Sequence, residues 1–358
     1  MASSNEAIIA AAGSGKTEFI LDAALADLSV RSLIVTYTNE NLRQINARLL
    51  TKAGGQAPNV TTMTWFEFLL RHGVKPYQSY KTSICRIRSI NFNAQPRYMK
   101  RSDFDRYYLD SSDNIYRDAV SDLAVVLDEL SGGKMINRLT GIFDRIFIDE
   151  VQDLAGWDLE LVERLLKSKI QVTMVGDPRQ AVYLTNRSNK NSGYRGAKFV
   201  TWLTARDKQG ICTLRTMDIS HRCNQIICSF ADGIYPGLPP TKSSNNDMPE
   251  HIGVHLIHEN HIGAYRATYS PQELQWNKRE KRAAADAMNM GQVKGRSFER
   301  VLIHPTKPMT EFLEQGTALK EVSAAKFYVA ITRARHSVGI VTTKKSTSSS
   351  LPIWDPRG

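Results

Sequence analysis

The residues Ala10-Ala11-Ala12-Gly13-Ser14-Gly15-Lys16-Thr17 have the types and spacing to cradle a phosphate chain. Gly13 and Gly15 let the backbone turn so that successive amides, including those of Ala12 and Ser14, face phosphate oxygens. Lys16 can reach the β- and γ-phosphates, and the Thr17 hydroxyl can ligate Mg²⁺. The chemistry implied is that of a nucleoside triphosphate, with ATP and Mg²⁺ as the expected cofactors. A second set is Asp149-Glu150-Val151-Gln152-Asp153. Asp149 would hold Mg²⁺, directly or through water, and Glu150 could take a proton from an attacking water. A third is Gly176 to Tyr183, where Gln180 could sense the γ-phosphate or that water and Tyr183 could stack on a base.

These groups act together only if folding gathers them. Ala7–Ile9 reads as a strand and Glu18–Leu28 as a helix, the strand–loop–helix setting that a phosphate loop needs. Further strand-like runs are Ser32–Tyr37, Val60–Trp65, Arg145–Asp149, Val172–Gly176, Gly253–Ile257, Arg300–Ile303 and Ser337–Thr342. They alternate with helical patterns, which predicts an α/β fold of parallel sheets with helices on both faces. In such sheets ligands lie beyond the carboxyl ends of the strands, where Asp149 and Gly176 fall.

The strand rhythm is lost from about Phe68 to Gly141. This stretch is first basic (Lys81, Arg86, Arg88, Arg97, Lys100, Arg101), with Tyr77, Tyr80, Phe92 and Tyr98 interleaved. It then predicts a helix over Asn114–Leu130, with Ile115, Ala119, Leu123, Val126 and Leu130 on one side. Pro236–Pro249 reads as a loop and Lys344–Gly358 as a loosely held tail.

A chain of 358 residues suits two domains, and its net charge of +11 makes nucleic acid the first candidate partner. The four cysteines, Cys85, Cys212, Cys223 and Cys228, form no CxxC, which predicts a reducing, cytoplasmic location. No leader and no bilayer-spanning run is read, so no membrane partner is expected. His251, His255, His258 and His261 alternate with apolar residues as in a strand and lack the companions of a metal site.

The order and spacing of these segments resemble the UvrD/Rep-type superfamily 1 DNA helicases, in a compact form. Thr36-Tyr37-Thr38-Asn39 resembles the family's TFTN segment and Thr61–Phe66 its GTFH segment. Asp149–Asp153 resembles DExxD, and Gly176–Tyr183 with Tyr194-Arg195-Gly196-Ala197 resembles GDxxQxIYxWRGA, split by Leu184–Gly193. Ser220–Cys223 resembles NYRS, Gly291–Phe298 resembles HxxKGLEF, and Phe327–Arg335 resembles YVAxTRA.

The resemblance implies two RecA-like domains with parallel sheets and a small, mainly helical insertion in the first. The expected division is 1–67 with 142–215 for the first, 68–141 for the insertion, 216–343 for the second and 344–358 for the tail. It further implies that Lys16, Glu150, Gln180, Arg222 and Arg333 are catalytic, the two arginines as fingers on the developing γ-phosphate charge. His221 would stack on adenine and Gly295 would belong to the nucleotide site. Single-stranded DNA would lie against Thr36, Tyr37, Thr62, Trp65, Tyr183, Tyr194 and Arg195, with the basic stretch Lys81–Arg101 adding phosphate contacts. The run Lys278–Arg282 reads first as a solvated helix face, with further phosphate contact as the alternative.

The activity so implied is ATP-driven 3′ to 5′ translocation on a single strand, with duplex junctions as a further substrate. Larger relatives carry a glutamine segment before the phosphate loop and a glutamate where Ser297 stands. Their accessory insertions, reduced here, help open duplex, so translocation is expected ahead of unwinding. The alternative is a nucleotide-gated DNA-binding subunit of a nuclease, repair or defence assembly. A small-molecule kinase would leave both arginine motifs and the aromatic series unused.

Overall fold

The computed structural model describes residues 5–81, 86–93, 95–96, 98–183, 185–277, 283–344 and 349–356. The basic run 278–282 and, within the earlier basic stretch, Cys85 and Arg97 lie outside the described residues. The chain forms two compact units. The first comprises Met1–Ile9, Lys16–Pro178 and Tyr183–Thr216, the second Ala10–Gly15, Arg179–Val182 and Met217–Gly358. Among the described residues no helix is long and apolar enough to cross a membrane.

The first part of the chain supplies β1 (Glu6–Ala10), β2 (Ser32–Thr36), β3 (Val60–Thr64), β4 (Ile90–Asn91), β5 (Ile115–Tyr116), β6 (Arg145–Asp149), β7 (Gln171–Gly176) and β8 (Thr213–Met217). Six of them form one sheet in the order β3-β2-β6-β7-β1-β8. The pairings β2 with β3, β2 with β6, β6 with β7 and β1 with β7 are all parallel. Parallel strands end at the same edge, so Asp149 closing β6 and Gly176 closing β7 emerge as neighbours. The β2 residues Ser-Leu-Ile-Val-Thr are buried along their whole length, as a strand covered on both faces must be.

The inserted stretch contains helices Phe104–Tyr108, Val120–Leu130 and Lys134–Ile142, a π-helical turn over Leu69–Val74, and the small β4–β5 pair. The helix expected over Asn114–Leu130 starts only at Val120. Ile115 is drawn into strand pairing with Ile90 instead, after a turn in which Asp110 accepts the Asn114 amide at 3.0 Å. Of the expected stripe, Ile115, Ala119 and Leu123 are enclosed, whereas Leu130 is 48% exposed, and Val120, Ala124 and Leu127 are buried as well. Long-range pairing here overrides a helical periodicity that holds only from Val120 onward.

The second unit carries β9 (Ile219–Ser220), β10 (Lys242–Ser243), β11 (Gly253–His258), β12 (Gln272–Gln275), β13 (Met288–Asn289), β14 (Phe298–Ile303), β15 (Ala334–Thr342) and β16 (Ile353–Trp354). Its sheet runs β13-β12-β14-β15-β11-β16, with every pairing parallel. Both units are therefore parallel α/β layers, the expected fold class. In the stretch read as a loose tail, Ile353 and Trp354 pair with Leu256 and Ile257 of β11, and Trp354 packs edge-on to Tyr265. Helix Glu321–Ile331 is buried on nearly all sides against this sheet.

The histidine series is built into the fold. The His251 ring stacks on Tyr269 at 4.2 Å and its Nε2 lies 3.1 Å from the Tyr265 hydroxyl. Among the described residues no group of His, Cys, Asp and Glu is placed to hold a metal ion on its own.

Candidate nucleotide and nucleic-acid sites

In the first unit, helix Lys16–Leu25 begins at Lys16, so Lys16 and Thr17 stand in its first turn, where the helix N-terminus favours negative charge. The Lys16 ammonium lies 3.6 Å from Glu150 Oε2, and both side chains are nearly enclosed. Glu150 follows β6 in the left-handed region, at φ 56° and ψ 40°. That conformation costs a non-glycine residue roughly 1–2 kcal/mol, so local contacts must hold it. The Glu150 amide donates to Asp149 Oδ1 at 2.9 Å, and the Gln152 amide group donates to Glu150 Oε2 at 2.5 Å.

Gln152 has a second partner. Its Oε1 accepts the Asp177 backbone N–H at 3.1 Å, which ties the end of β6 to the end of β7. A Cβ on Gly176 would sit 2.2 Å from that same Oε1, so the strand end must be glycine for the tie to form. Both residues lie in the quoted motifs, but sequence reasoning assigned neither a task. The available signal was a glutamine following the proposed base by two positions and a glycine ending the adjacent strand. Asp149 is buried at the same turn, with Oδ1 already accepting the Glu150 amide.

The second unit holds the glycine half of the phosphate loop. Gly13 has φ +77°, and a Cβ there would meet Arg222 Cβ at 2.7 Å, so the loop backbone lies directly on Arg222. The His221 N–H donates to the Gly13 carbonyl at 2.9 Å, and the Ser220 hydroxyl donates to the Ala12 carbonyl at 2.7 Å. His221 has an exposed ring whose Nδ1 lies 2.7 Å from the Ser244 hydroxyl. The Ser14 hydroxyl is buried with no hydrogen-bond partner among the described residues, an orphaned donor of the kind that a phosphate oxygen would satisfy.

Arg222 donates to the Thr332 carbonyl at 3.1 Å. Arg333 is 1% exposed and donates to Val329 O at 3.0 Å, Arg296 O at 3.3 Å and Gln180 Oε1 at 3.1 Å. The structure thus joins Gln180 to Arg333. Gly295 immediately precedes the Arg296 carbonyl that receives this guanidinium. Arg179, to which sequence reasoning gave no role, is buried beside Gln180. It pairs with Asp232 at 3.0 Å and stacks over the Tyr328 ring at 5.1 Å.

Of the candidate strand-binding residues, Tyr37 and Tyr183 come together, with ring centroids 5.7 Å apart and both half-buried. Burial raises the Tyr37 hydroxyl pKa, an effect partly opposed by Arg117. Thr62 donates to Asn46 Oδ1 at 2.6 Å. Tyr194 packs half-buried against the core, and Arg195 donates to the Ser188 carbonyl.

Two candidates are corrected. Trp65 is 1% exposed, stacks on Phe68 and donates its indole N–H to Asp158 Oδ1 at 2.8 Å, so no base can reach its face. Thr36 is likewise 1% exposed, within the fully buried β2. The motif's aromatic here belongs to the core because helix Trp65–Phe68, capped by the Thr64 hydroxyl, turns it inward.

Residues 74–207 match the family model of the UvrD/REP helicase N-terminal domain. The similarity to that family thus covers a continuous stretch of less than half of the chain. The matched stretch contains Asp149–Asp153, Gly176–Tyr183 and Tyr194–Ala197, and lies outside the phosphate loop and the arginine motifs. No curated protein matches the chain significantly. Among solved structures it is similar to the arterivirus nonstructural protein 10 helicase, at 14% identity and TM-score 0.49 over 96% of this chain and 60% of that one. It is also similar to that protein's complex with DNA, at 16% identity and TM-score 0.47 over 96% and 62%. The PRRSV helicase matches at 17% identity and TM-score 0.46 over 98% and 55%. The chain therefore spans about three fifths of the length of these helicases.

Proposed function

We propose that this protein is a superfamily 1 helicase of UvrD type, an ATP-driven translocase on single-stranded DNA moving 3′ to 5′. The observation that carries the reading is the pairing of Lys16 with Glu150 beside a buried Asp149, in a chain whose helicase match includes both carboxylates. Lys16 and the amides of residues 12–16 bind the phosphates. Glu150 receives the proton of the attacking water, and Gln152 keeps its carboxylate in place. Gln180 orients the water, and Arg222 and Arg333 stabilise charge on the γ-phosphoryl oxygens. Mg²⁺ held by Thr17 and Asp149 would neutralise phosphate charge. His221 covers the base. The Tyr37–Tyr183 pair supplies a stacking platform for the strand, with Thr62, Tyr194 and Arg195 alongside. Lobes 1–67 with 142–215 and 216–343 carry the two halves of the cycle.

The deciding experiment measures phosphate release against single-stranded DNA, single-stranded RNA and duplex across a salt series. Stimulation is expected with single-stranded DNA, declining as salt weakens binding, and absent in Lys16→Ala. Release indifferent to every nucleic acid overturns the reading.

A further inference from the structure

We propose that Phe66, Phe92, Arg71, Lys75 and Arg88 form an additional subsite that takes one nucleotide of the bound strand; this rests on the single-strand reading above and extends it into the inserted stretch. The first unit has a pocket of about 610 Å³ between the segment following β3 and the strand β4 region. That volume falls within the ordinary range of small-ligand pockets, roughly 300–1,000 Å³. Its apolar side is formed by Leu70, Ile90 and two rings: Phe66 and Phe92 meet edge to face at 5.7 Å, and Phe92 is 62% exposed.

The polar side is cationic. Arg71, Lys75 and Arg88 all line the pocket against a single carboxylate, Glu67, which lies 3.9 Å from Arg71. Arg88 is 71% exposed and only loosely paired with Asp113 at 3.9 Å, an arrangement that leaves most of its charge available. Arg71 belongs to the π-helical turn Leu69–Val74 and Lys75 follows it, so their spacing puts both ammonium and guanidinium on the pocket side. An aromatic face beside a cluster of cations is what a base and its phosphate together require.

The occupant is a strand rather than a free nucleotide because the rings are continuous. Tyr183 meets Tyr37 at 5.7 Å, Tyr37 meets Phe66 at 5.9 Å, and Phe66 meets Phe92 at 5.7 Å. The row leads from the proposed platform into the pocket and ends on its most exposed member. Sequence reasoning placed Phe92 among basic residues but did not connect it to Tyr37.

The test is binding of labelled oligothymidylates of graded length to the full chain and to Phe92→Ala, Phe92→Tyr and Arg88→Ala. For long oligomers, Phe92→Ala is expected to weaken binding about five- to thirtyfold, while Phe92→Tyr restores it. Arg88→Ala is expected to lower the salt slope by about one. For oligomers too short to span the ring row, wild type and Phe92→Ala should converge. Equal binding of wild type and Phe92→Ala at every length overturns the subsite alone. Equal loss at every length marks a structural effect and overturns it too. Thymidine monophosphate competing for the pocket as well as a strand does makes it a free-nucleotide site and overturns the strand assignment. A wild-type chain that binds no single strand overturns both this subsite and the single-strand reading on which it rests.

Discussion

Lys16 Nζ and Glu150 Oε2 lie 3.6 Å apart, and Gln152 holds the same carboxylate oxygen from the other side. One glutamate is thus shared between the phosphate-binding lysine and a side chain anchored on the next strand. Under the proposed mechanism, Glu150→Gln should lower phosphate release about 10²- to 10⁴-fold while nucleotide still binds. Lys16→Ala should weaken nucleotide binding as well. Release assays combined with equilibrium binding of a fluorescent nucleotide separate the two.

Gly176→Ala should behave like a damaged base although it touches no substrate. Its new Cβ, 2.2 Å from Gln152 Oε1, must push that side chain away from Asp177 and so release Glu150. Phosphate release should fall at least tenfold in kcat, an effect of about 1.4 kcal/mol, with KM little changed. Gln152→Ala should reproduce the same split in the same assay.

Trp65 and Tyr183 should separate stability from strand binding. Trp65→Ala empties a core position and leaves the buried Asp158 without its indole donor, a loss of about 3–5 kcal/mol read as a shift in the urea midpoint. Tyr183→Ala should leave that midpoint nearly unchanged and weaken single-strand binding by about 1–3 kcal/mol.

Acid should destabilise the protein in two windows. Burial, reinforced by Arg138 and Arg71, lowers the His72 pKa to about 4 from the ordinary histidine value of 6.5. The unfolded chain therefore takes up a proton that the folded one refuses, and stability falls as pH drops from about 6.5 to about 4. His251 behaves alike, lowered to about 4 by burial and then by His255 and Arg300. Glu273 is different: burial pushes its pKa up, but His304, Arg266 and the Ala284 amide outweigh this and lower it to about 2 from 4.5. Its contribution is complete above about 4.5 and disappears as pH falls through about 2. Urea midpoints measured from pH 7 to 3 should show the first decline, and His72→Gln should make it shallower.

The phosphate loop, the carboxylates after Arg145–Asp149 and the alternation of short apolar runs with helices are legible in the sequence because each is local. A few consecutive residues carry the glycine turns, the strand burial and the strand-end placement, and the parallel α/β class follows from them. What the sequence could not decide depends on partners far along the chain. Trp65 reads as a platform beside its motif neighbours, but Asp158, 93 residues away, takes its N–H into the core. Ile115 fits a helical stripe, but Ile90 claims it for a strand. Gln152 and Gly176 acquire meaning only when β6 and β7 lie side by side, and Phe92 only when Phe66 and Tyr37 align with it. Local pattern sets what a segment can become; burial, which depends on the whole chain packing at once, decides which side chains are left facing a ligand.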